Sequence, residues 1–174
     1  MIVRQALSQL LHIKPCYVSI SKGIFGKPFC RNSTYQFNIS HSNECVAVAL
    51  NDCSIGIDVE YINTEFDWRE ISRYVFTEIE NVWLRNQKNE IYFMMWICKE
   101  AICKLVGCGL HTKFIKSFYL DTVGLGSNNV ISINKTILGT IDVYKLEEKY
   151  VLSIVSEDNM NQFFWHENAI LTLQ

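Results

Sequence analysis

The stretch SIGIDVE places two acids two positions apart inside an otherwise apolar segment. Successive side chains of a strand point to opposite faces, so Ile55, Ile57 and Val59 share one face. Asp58 and Glu60 share the other face, about 6.6 Å apart at a rise of ~3.3 Å per residue. The stretch therefore predicts a strand that is apolar on one side and anionic on the other.

Two carboxylates this close repel each other unless a cation or protons lie between them. Hard oxygen ligands favour magnesium, manganese or calcium over zinc, so a divalent ion would explain the pair. The alternative is an edge strand whose outer face is solvated, and for an isolated D-x-E pattern that is the simpler interpretation.

A helix through WICKEAICK changes that balance. Trp96, Glu100 and Lys104 follow one another at steps of four and lie along one side of the helix. As a surface ion pair, Glu100 and Lys104 would contribute only about 0.2–0.5 kcal/mol. In a functional site, the glutamate can complete a metal site or act as a base, and the lysine can stabilise charge on a phosphoryl group.

Two further segments carry polar groups. In FNISHS, Ser40 and His41 can present hydroxyl and imidazole groups to an anion, although a lone histidine at a strand end is more often structural. In GKPF, glycine and proline favour a tight loop from which Lys27 is expected to project, which by itself is only a good turn.

Hydrophobic periodicity predicts an α+β fold. The predicted helices lie at residues 4–12, at residues 68–76, after a capping box of Thr77 and Glu80, and through YFMMWICKEAICKLV, which Gly107 ends. The predicted strands lie at residues 17–20, 35–39, 45–50, 54–60, 114–120, 130–133, 137–143, 150–155 and 169–173. We expect the third and fourth of these strands to pair as antiparallel neighbours.

The composition argues against several classes of protein. A net charge of −2 and a pI near 6.1 argue against nucleic-acid binding. Residues 1–43 hold bases and no acid, whereas acids dominate residues 44–90; these blocks can form a basic cleft with an acidic floor, or unrelated solvated faces. The chain has neither an apolar run of roughly 20 residues nor a signal-peptide pattern, which indicates a cytoplasmic protein without membrane contact.

The seven cysteines favour buried reduced thiols over a disulfide scaffold, because their number is odd and no C-x-x-C pair occurs. Cys98, Cys103 and Cys108 recur every five residues, which spreads them around a helix. This spacing argues against a tetrahedral zinc site.

The segments GKPF, FNISHS, GIDVE, FTEIE and WICKEAICKLVGCGL, in this order, resemble the 4'-phosphopantetheinyl transferase superfamily, and FNISHS resembles its monomeric Sfp-type branch. The resemblance covers about residues 6–119, and residues 120–174 match only as a strand-rich tail. It implies two pseudo-symmetric α/β subdomains, here a shortened one at 1–54 and a second one with the metal site at 55–174.

The resemblance also implies a reaction. The family transfers the phosphopantetheine arm of coenzyme A to a serine of an acyl or peptidyl carrier protein, with magnesium, and releases adenosine 3',5'-bisphosphate. Carried onto this sequence, Asp58, Glu60 and Glu100 would hold the metal, and Glu100 would also be the base. Lys104 would neutralise charge on the phosphoryl group in transfer.

The remaining implied roles concern the cofactor and the carrier protein. Lys27, Ser40 and His41 would bind the phosphates and adenine side of coenzyme A, and Lys99 would contact coenzyme A or the carrier. A basic and apolar docking patch for the carrier is expected after the long helix, at Lys113, Phe114 and Lys116; ordinary solvated lysines beside a core strand are the alternative.

Two rival functions remain beside the active transferase. One is a truncated, catalytically inactive homologue that binds carrier protein or has lost coenzyme A binding, which the short segment before ALSQLL favours. The other is an unrelated magnesium-dependent phosphohydrolase, which the ordered motifs disfavour.

Overall fold

The computed structural model describes residues 2–109, 112–118, 120, 133–136 and 139–157, which form a mixed α/β fold. The helices are α1 (Ile2–Leu10), α2 (Arg69–Val75), α3 (Glu78–Leu84), α4 (Asn89–Val106) and α5 (Thr112–Ile115), with one 3₁₀ turn at Pro15–Tyr17. The strands are β1 (Ile20–Lys22), β2 (Pro28–Cys30), β3 (Gln36–Ser42), β4 (Cys45–Asn51), β5 (Ile55–Tyr61), β6 (Ile133–Thr136), β7 (Gly139–Leu146) and β8 (Tyr150–Ser156).

Within the described residues, the strands form three antiparallel sheets. Two are the hairpins β1–β2 and β3–β4, and the third has the order β5-β8-β7-β6. The predicted pairing of β4 with β5 is therefore wrong. A two-residue turn, in which Asn43 has a φ of 49°, closes β4 onto β3, while β5 pairs with β8.

Strand β5 is buried on both faces. Ile55, Ile57 and Val59 are fully buried, as the alternation predicts. Asp58, on the other face, is only 1% exposed. The solvated edge strand, which was the alternative for this segment, is therefore wrong.

Helix α4 packs directly on β5 and contributes side chains to the core along most of its length. It ends at Gly107 in the left-handed conformation (φ 72°), as predicted. At the crossing point the backbones nearly touch: a Cβ on Gly56 would lie 2.1 Å from the carbonyl oxygen of Ala101 and 2.5 Å from the amide nitrogen of Leu105. Only glycine fits there, and this contact holds the Glu100 turn of α4 beside β5.

Other local predictions had mixed outcomes. The capping box that starts α3 is confirmed, because Thr77 and Glu80 each accept a hydrogen bond from the other's backbone amide. The predicted strand at 17–20 is wrong over most of its length, since Pro15 begins a 3₁₀ turn and β1 starts at Ile20. The start of the predicted strand at 114–120 is helix α5 instead.

The tail strands at 137–143 and 150–155 correspond to β7 and β8. The predicted strand at 169–173 lies outside the described residues, and the one at 130–133 meets them only at Ile133, where β6 begins. Across the part of the chain that the structure describes, no helix has the length and apolar character needed to cross a membrane.

The cysteines are free thiols. Cys98 and Cys103 of α4 are buried as predicted, and so is Cys108, which follows the helix. Cys16, by contrast, is exposed, and Cys45 and Cys53 are half-buried.

Candidate active site

Three elements meet at the Asp58 carboxylate. One of its oxygens, Oδ1, accepts a hydrogen bond from Ser40 Oγ of β3 at 2.8 Å and one from Lys104 Nζ of α4 at 2.6 Å. Lys104 also donates to Ser40 Oγ at 2.8 Å. The other oxygen, Oδ2, is buried and has no hydrogen-bond partner among the described residues. A buried carboxylate oxygen without a donor is costly, so this atom is suited to bind an incoming cation.

Two more carboxylates lie near Asp58. Glu60 accepts a hydrogen bond from Ser42 Oγ at 2.7 Å, and Glu100 is 7% exposed on the turn of α4 before Lys104. Burial raises the pKa of Glu100 to about 8, with the charges of Asp58 and Glu60 acting in the same direction and Lys104 opposing them. Burial also raises the pKa of Asp58 and that of Glu60.

Burial is the main cause of these raised pKa values, and the positive charge of Lys104 only partly opposes it. Their oxygen atoms are the ligands that magnesium and manganese prefer. Among the described residues, however, no group of three or more His, Cys, Asp or Glu side chains is already assembled as a metal site. The residues fit a divalent ion by their chemistry and by the unpartnered oxygen of Asp58.

A cavity of about 260 Å³ opens beside Glu100. Glu100 and Lys104 line one side of it, and the loop between β1 and β2, with Phe25 and Lys27, lines another. Asn38 of β3 also borders the cavity. A ligand in this space would contact both the acid and the lysine of α4.

A sequence model described as the 4'-phosphopantetheinyl transferase superfamily matches residues 54–155, more than half of the chain. The chain belongs to this superfamily. The matched segment contains β5 and α4, and therefore Asp58, Glu60, Glu100 and Lys104.

Individual relatives carry the same family name. The chain is 35% identical over 125 residues to 4'-phosphopantetheinyl transferase gsp of Aneurinibacillus migulanus, covering 70% of this chain and 51% of that protein. It is 34% identical over 118 residues to 4'-phosphopantetheinyl transferase HetI of a Nostoc strain, covering 63% and 50%. It is 34% identical over 110 residues to 4'-phosphopantetheinyl transferase AcpT of Escherichia coli O157:H7, covering 60% and 55%. The chain spans about half the length of these curated relatives.

Among the predicted cofactor-binding residues of this superfamily member, Ser40 and His41 have different surroundings. Ser40 is buried in the Asp58 cluster. His41 is the next residue of β3, so it points to the opposite face and is exposed. Burial raises the pKa of Glu60, and His41 makes only a small electrostatic contribution against that rise.

Lys27 does not project from its loop as predicted. Its ammonium donates to the carbonyl oxygens of Leu105 at 2.8 Å and Ile55 at 3.0 Å, and burial lowers its pKa. The last carbonyls of a helix lack partners and carry partial negative charge, which explains why the cation folds back onto α4.

Lys99 is fully buried, which does not fit the predicted contact with coenzyme A or the carrier. Its ammonium lies 2.9 Å from Glu80 Oε1 and donates to the carbonyl oxygens of Ile115 and Phe118. Glu80 also accepts from the backbone amide of Leu120 at 2.9 Å. This ion pair joins α3, α4 and the segment after α5. The sequence predicted Glu80 only as the capping-box partner of Thr77, and not as the partner of Lys99.

Lys99→Met is expected to destabilise the protein by about 3–5 kcal/mol, because Glu80 remains as a buried charge without its cation. Urea denaturation followed by circular dichroism measures the change. The double variant Lys99→Met/Glu80→Gln should recover part of the loss, since it removes both charges. A stable Lys99→Met protein with weakened coenzyme A binding would instead support the contact predicted from the sequence.

The pKa of Glu100 predicts a pH-dependent stability. Between its ordinary value of 4.5 and about 8, the folded protein keeps a proton that the unfolded chain has lost. The free energy of unfolding therefore falls as the pH rises through this range, by at most about 1.4 kcal/mol for each pH unit. We expect Glu100→Gln to be close to wild type at pH 5.5 and more stable at pH 8.5 in thermal unfolding with EDTA. The same difference in thermal stability between Glu100→Gln and wild type at both pH values would contradict the prediction.

Asn38 and Ser42 contact the site but were not predicted from the sequence. Both lie on the same face of β3 as Ser40, and both contact β5. The alternation N-x-S-x-S within FNISHS was the signal, because it places three polar side chains on one face of a strand.

Proposed function

We propose that the protein transfers the 4'-phosphopantetheine arm of coenzyme A to a serine hydroxyl of an acyl or peptidyl carrier protein. Membership of the superfamily supports the reaction class. The observation that carries the proposal is the Asp58 carboxylate, near Glu100. Its Oδ1 accepts hydrogen bonds from Ser40 and Lys104, and its Oδ2 has no partner within the described part of the chain.

We assign Asp58, Glu60 and Glu100 as the ligands of Mg²⁺. The unpartnered oxygen of Asp58 and the raised pKa values of all three acids support this assignment. The bound ion would neutralise negative charge on the pyrophosphate of coenzyme A. The ion would also lower the three pKa values, since an added positive charge favours the ionised carboxylates.

Glu100 is the proposed general base. Burial raises the pKa of Glu100 to about 8 in the metal-free site; a bound cation would lower this pKa and so leave the carboxylate ionised and able to accept a proton. Glu100 takes the proton of the carrier serine, directly or through water, as the serine oxygen bonds to phosphorus. The pyrophosphate P–O bond breaks, and adenosine 3',5'-bisphosphate leaves with the electron pair.

Lys104 stabilises the charge of the phosphoryl group in transfer. An ammonium group has three N–H donors; here one contacts Ser40 and one contacts Asp58. The side chain also lines the cavity, so the third donor is available to a phosphoryl oxygen there. We propose that Ser40, His41 and the stem of Lys27 border the phosphates and adenine side of the cofactor.

The wider predictions stay predictions. They are two pseudo-symmetric subdomains, at 1–54 and 55–174, a monomeric state and a cytoplasmic location. For carrier docking after α4, Phe114 is 46% exposed and Lys116 is exposed with its ammonium bonded to the Arg73 carbonyl, while the side chain of Lys113 lies outside the described residues.

The test is the intact mass of an apo carrier protein after incubation with this protein, coenzyme A and Mg²⁺. A gain of one phosphopantetheine group that EDTA prevents is the expected result. No gain with several acyl and peptidyl carriers would overturn the proposal and favour the inactive homologue. Heat-killed protein and a carrier with its acceptor serine replaced by alanine are the controls.

A further inference from the structure

Strand β5 has one edge paired with β8, and β3 runs along its other side. Two backbone amides on that side donate to β3 side chains. Asn38 Oδ1 accepts a hydrogen bond from the backbone amide of Ile57, and Ser42 Oγ accepts one from the backbone amide of Tyr61, both at 3.0 Å. Polar side chains of β3 thus bind the backbone of the strand that carries the acids.

Ser42 makes a second contact with β5. Its hydroxyl donates to Glu60 Oε2 at 2.7 Å while accepting from the Tyr61 amide. A serine hydroxyl has one proton, so accepting the amide bond leaves that proton free to point at the carboxylate. The Glu60 side chain is therefore tied to the backbone of its own strand through Ser42.

The serines of β3 and the acids of β5 have the same spacing along their strands. Ser40 contacts Asp58 and Ser42 contacts Glu60, so residues two apart on β3 serve acids two apart on β5. Each acid of the D-x-E pair has its own hydroxyl donor. Ser40 also contacts Lys104, whereas the side chain of Ser42 reaches only Glu60 and the Tyr61 amide among the described residues.

We propose that Ser42 is a positioning residue that holds the Glu60 carboxylate in place to receive the divalent cation. This inference rests on the proposed metal-dependent function. Hydrogen-bond partners of metal ligands fix ligand orientation, and their loss costs about 10–100-fold in metal affinity.

The experiment measures Mn²⁺ binding to the protein without coenzyme A, from the electron paramagnetic resonance signal of free Mn²⁺. Ser42→Ala should weaken binding by about 10–100-fold, and Ser42→Thr, which keeps the hydroxyl, should restore it. Ser33→Ala is the matched control, because the Ser33 hydroxyl also accepts from a backbone amide, that of Tyr35 at 3.0 Å, but lies before the start of β3. At saturating Mg²⁺, the KM for coenzyme A should be unchanged in Ser42→Ala.

The outcomes separate this inference from the proposed function. If wild type transfers phosphopantetheine and binds Mn²⁺, but Ser42→Ala binds it equally well, only the role of Ser42 is wrong. If wild type neither binds Mn²⁺ nor modifies a carrier, the proposed function fails and the inference fails with it. If both Ser42 variants lose Mn²⁺ and stability together, Ser42 serves strand attachment, and the positioning role is overturned.

Discussion

Asp58→Asn is expected to lower the rate of phosphopantetheine transfer on the order of 10²–10⁴-fold while the protein stays folded. Asparagine keeps an oxygen that can accept from Ser40 and Lys104, so the contacts between β3, β5 and α4 persist. It removes the charge at the unpartnered oxygen and relieves repulsion with Glu100. Initial rates of carrier modification and thermal unfolding measure the two parts of the prediction.

The matched control is Asp52→Asn, which removes an acid from the exposed turn between β4 and β5. It should transfer at the wild-type rate. Glu100→Gln should lose transfer as Asp58→Asn does, because it removes both a proposed ligand and the proposed base. Wild-type rates in both site variants would show that the carboxylates do not form the metal site.

Gly56→Ala is expected to prevent normal folding. The added methyl group would lie 2.1 Å from one backbone atom of α4 and 2.5 Å from another, and no change of rotamer moves backbone atoms apart. Overpacking in cores costs about 1–3 kcal/mol when side chains can adjust and more when they cannot. Since a domain is stable by only about 5–15 kcal/mol, this change removes a large share of the total.

Urea denaturation and the yield of soluble protein test this prediction. Gly23→Ala is the control, since a Cβ there meets only the Lys27 carbonyl oxygen, at an ordinary 3.5 Å. Any Gly56→Ala protein that does fold should be inactive, because α4 carries Glu100 and Lys104 away from β5 when it shifts. A denaturation midpoint equal to that of wild type would show that the two backbones are less tightly packed than described.

The parts of the site that local pattern determines could be predicted. Alternation within SIGIDVE predicted that Asp58 and Glu60 share a face of β5, and the step of four predicted that Glu100 and Lys104 lie along one side of α4. These signals depend only on the repeat of a strand or a helix, so they hold wherever the element packs.

The contacts that depend on tertiary packing could not be predicted. The ion pair of Lys104 with Asp58 joins different elements, and Lys27 binds a helix end far along the chain. Lys99 has the same residue type and helix as Lys104 but lies fully buried against Glu80. Residue type alone does not distinguish a lysine at a cavity from one in a buried ion pair.

The pairing of β5 with β8 has a consequence for biosynthesis. Asp58 lies directly opposite Ser153, so the strand that carries the acids acquires its neighbour only when the ribosome has nearly completed the described part of the chain. Closing so long a loop is slow compared with forming hairpin β3–β4. Until then the apolar face of β5 lacks Leu152 and Ile154 of β8, which pack in the same cluster, and a nascent chain paused before β8 would be a substrate for chaperones.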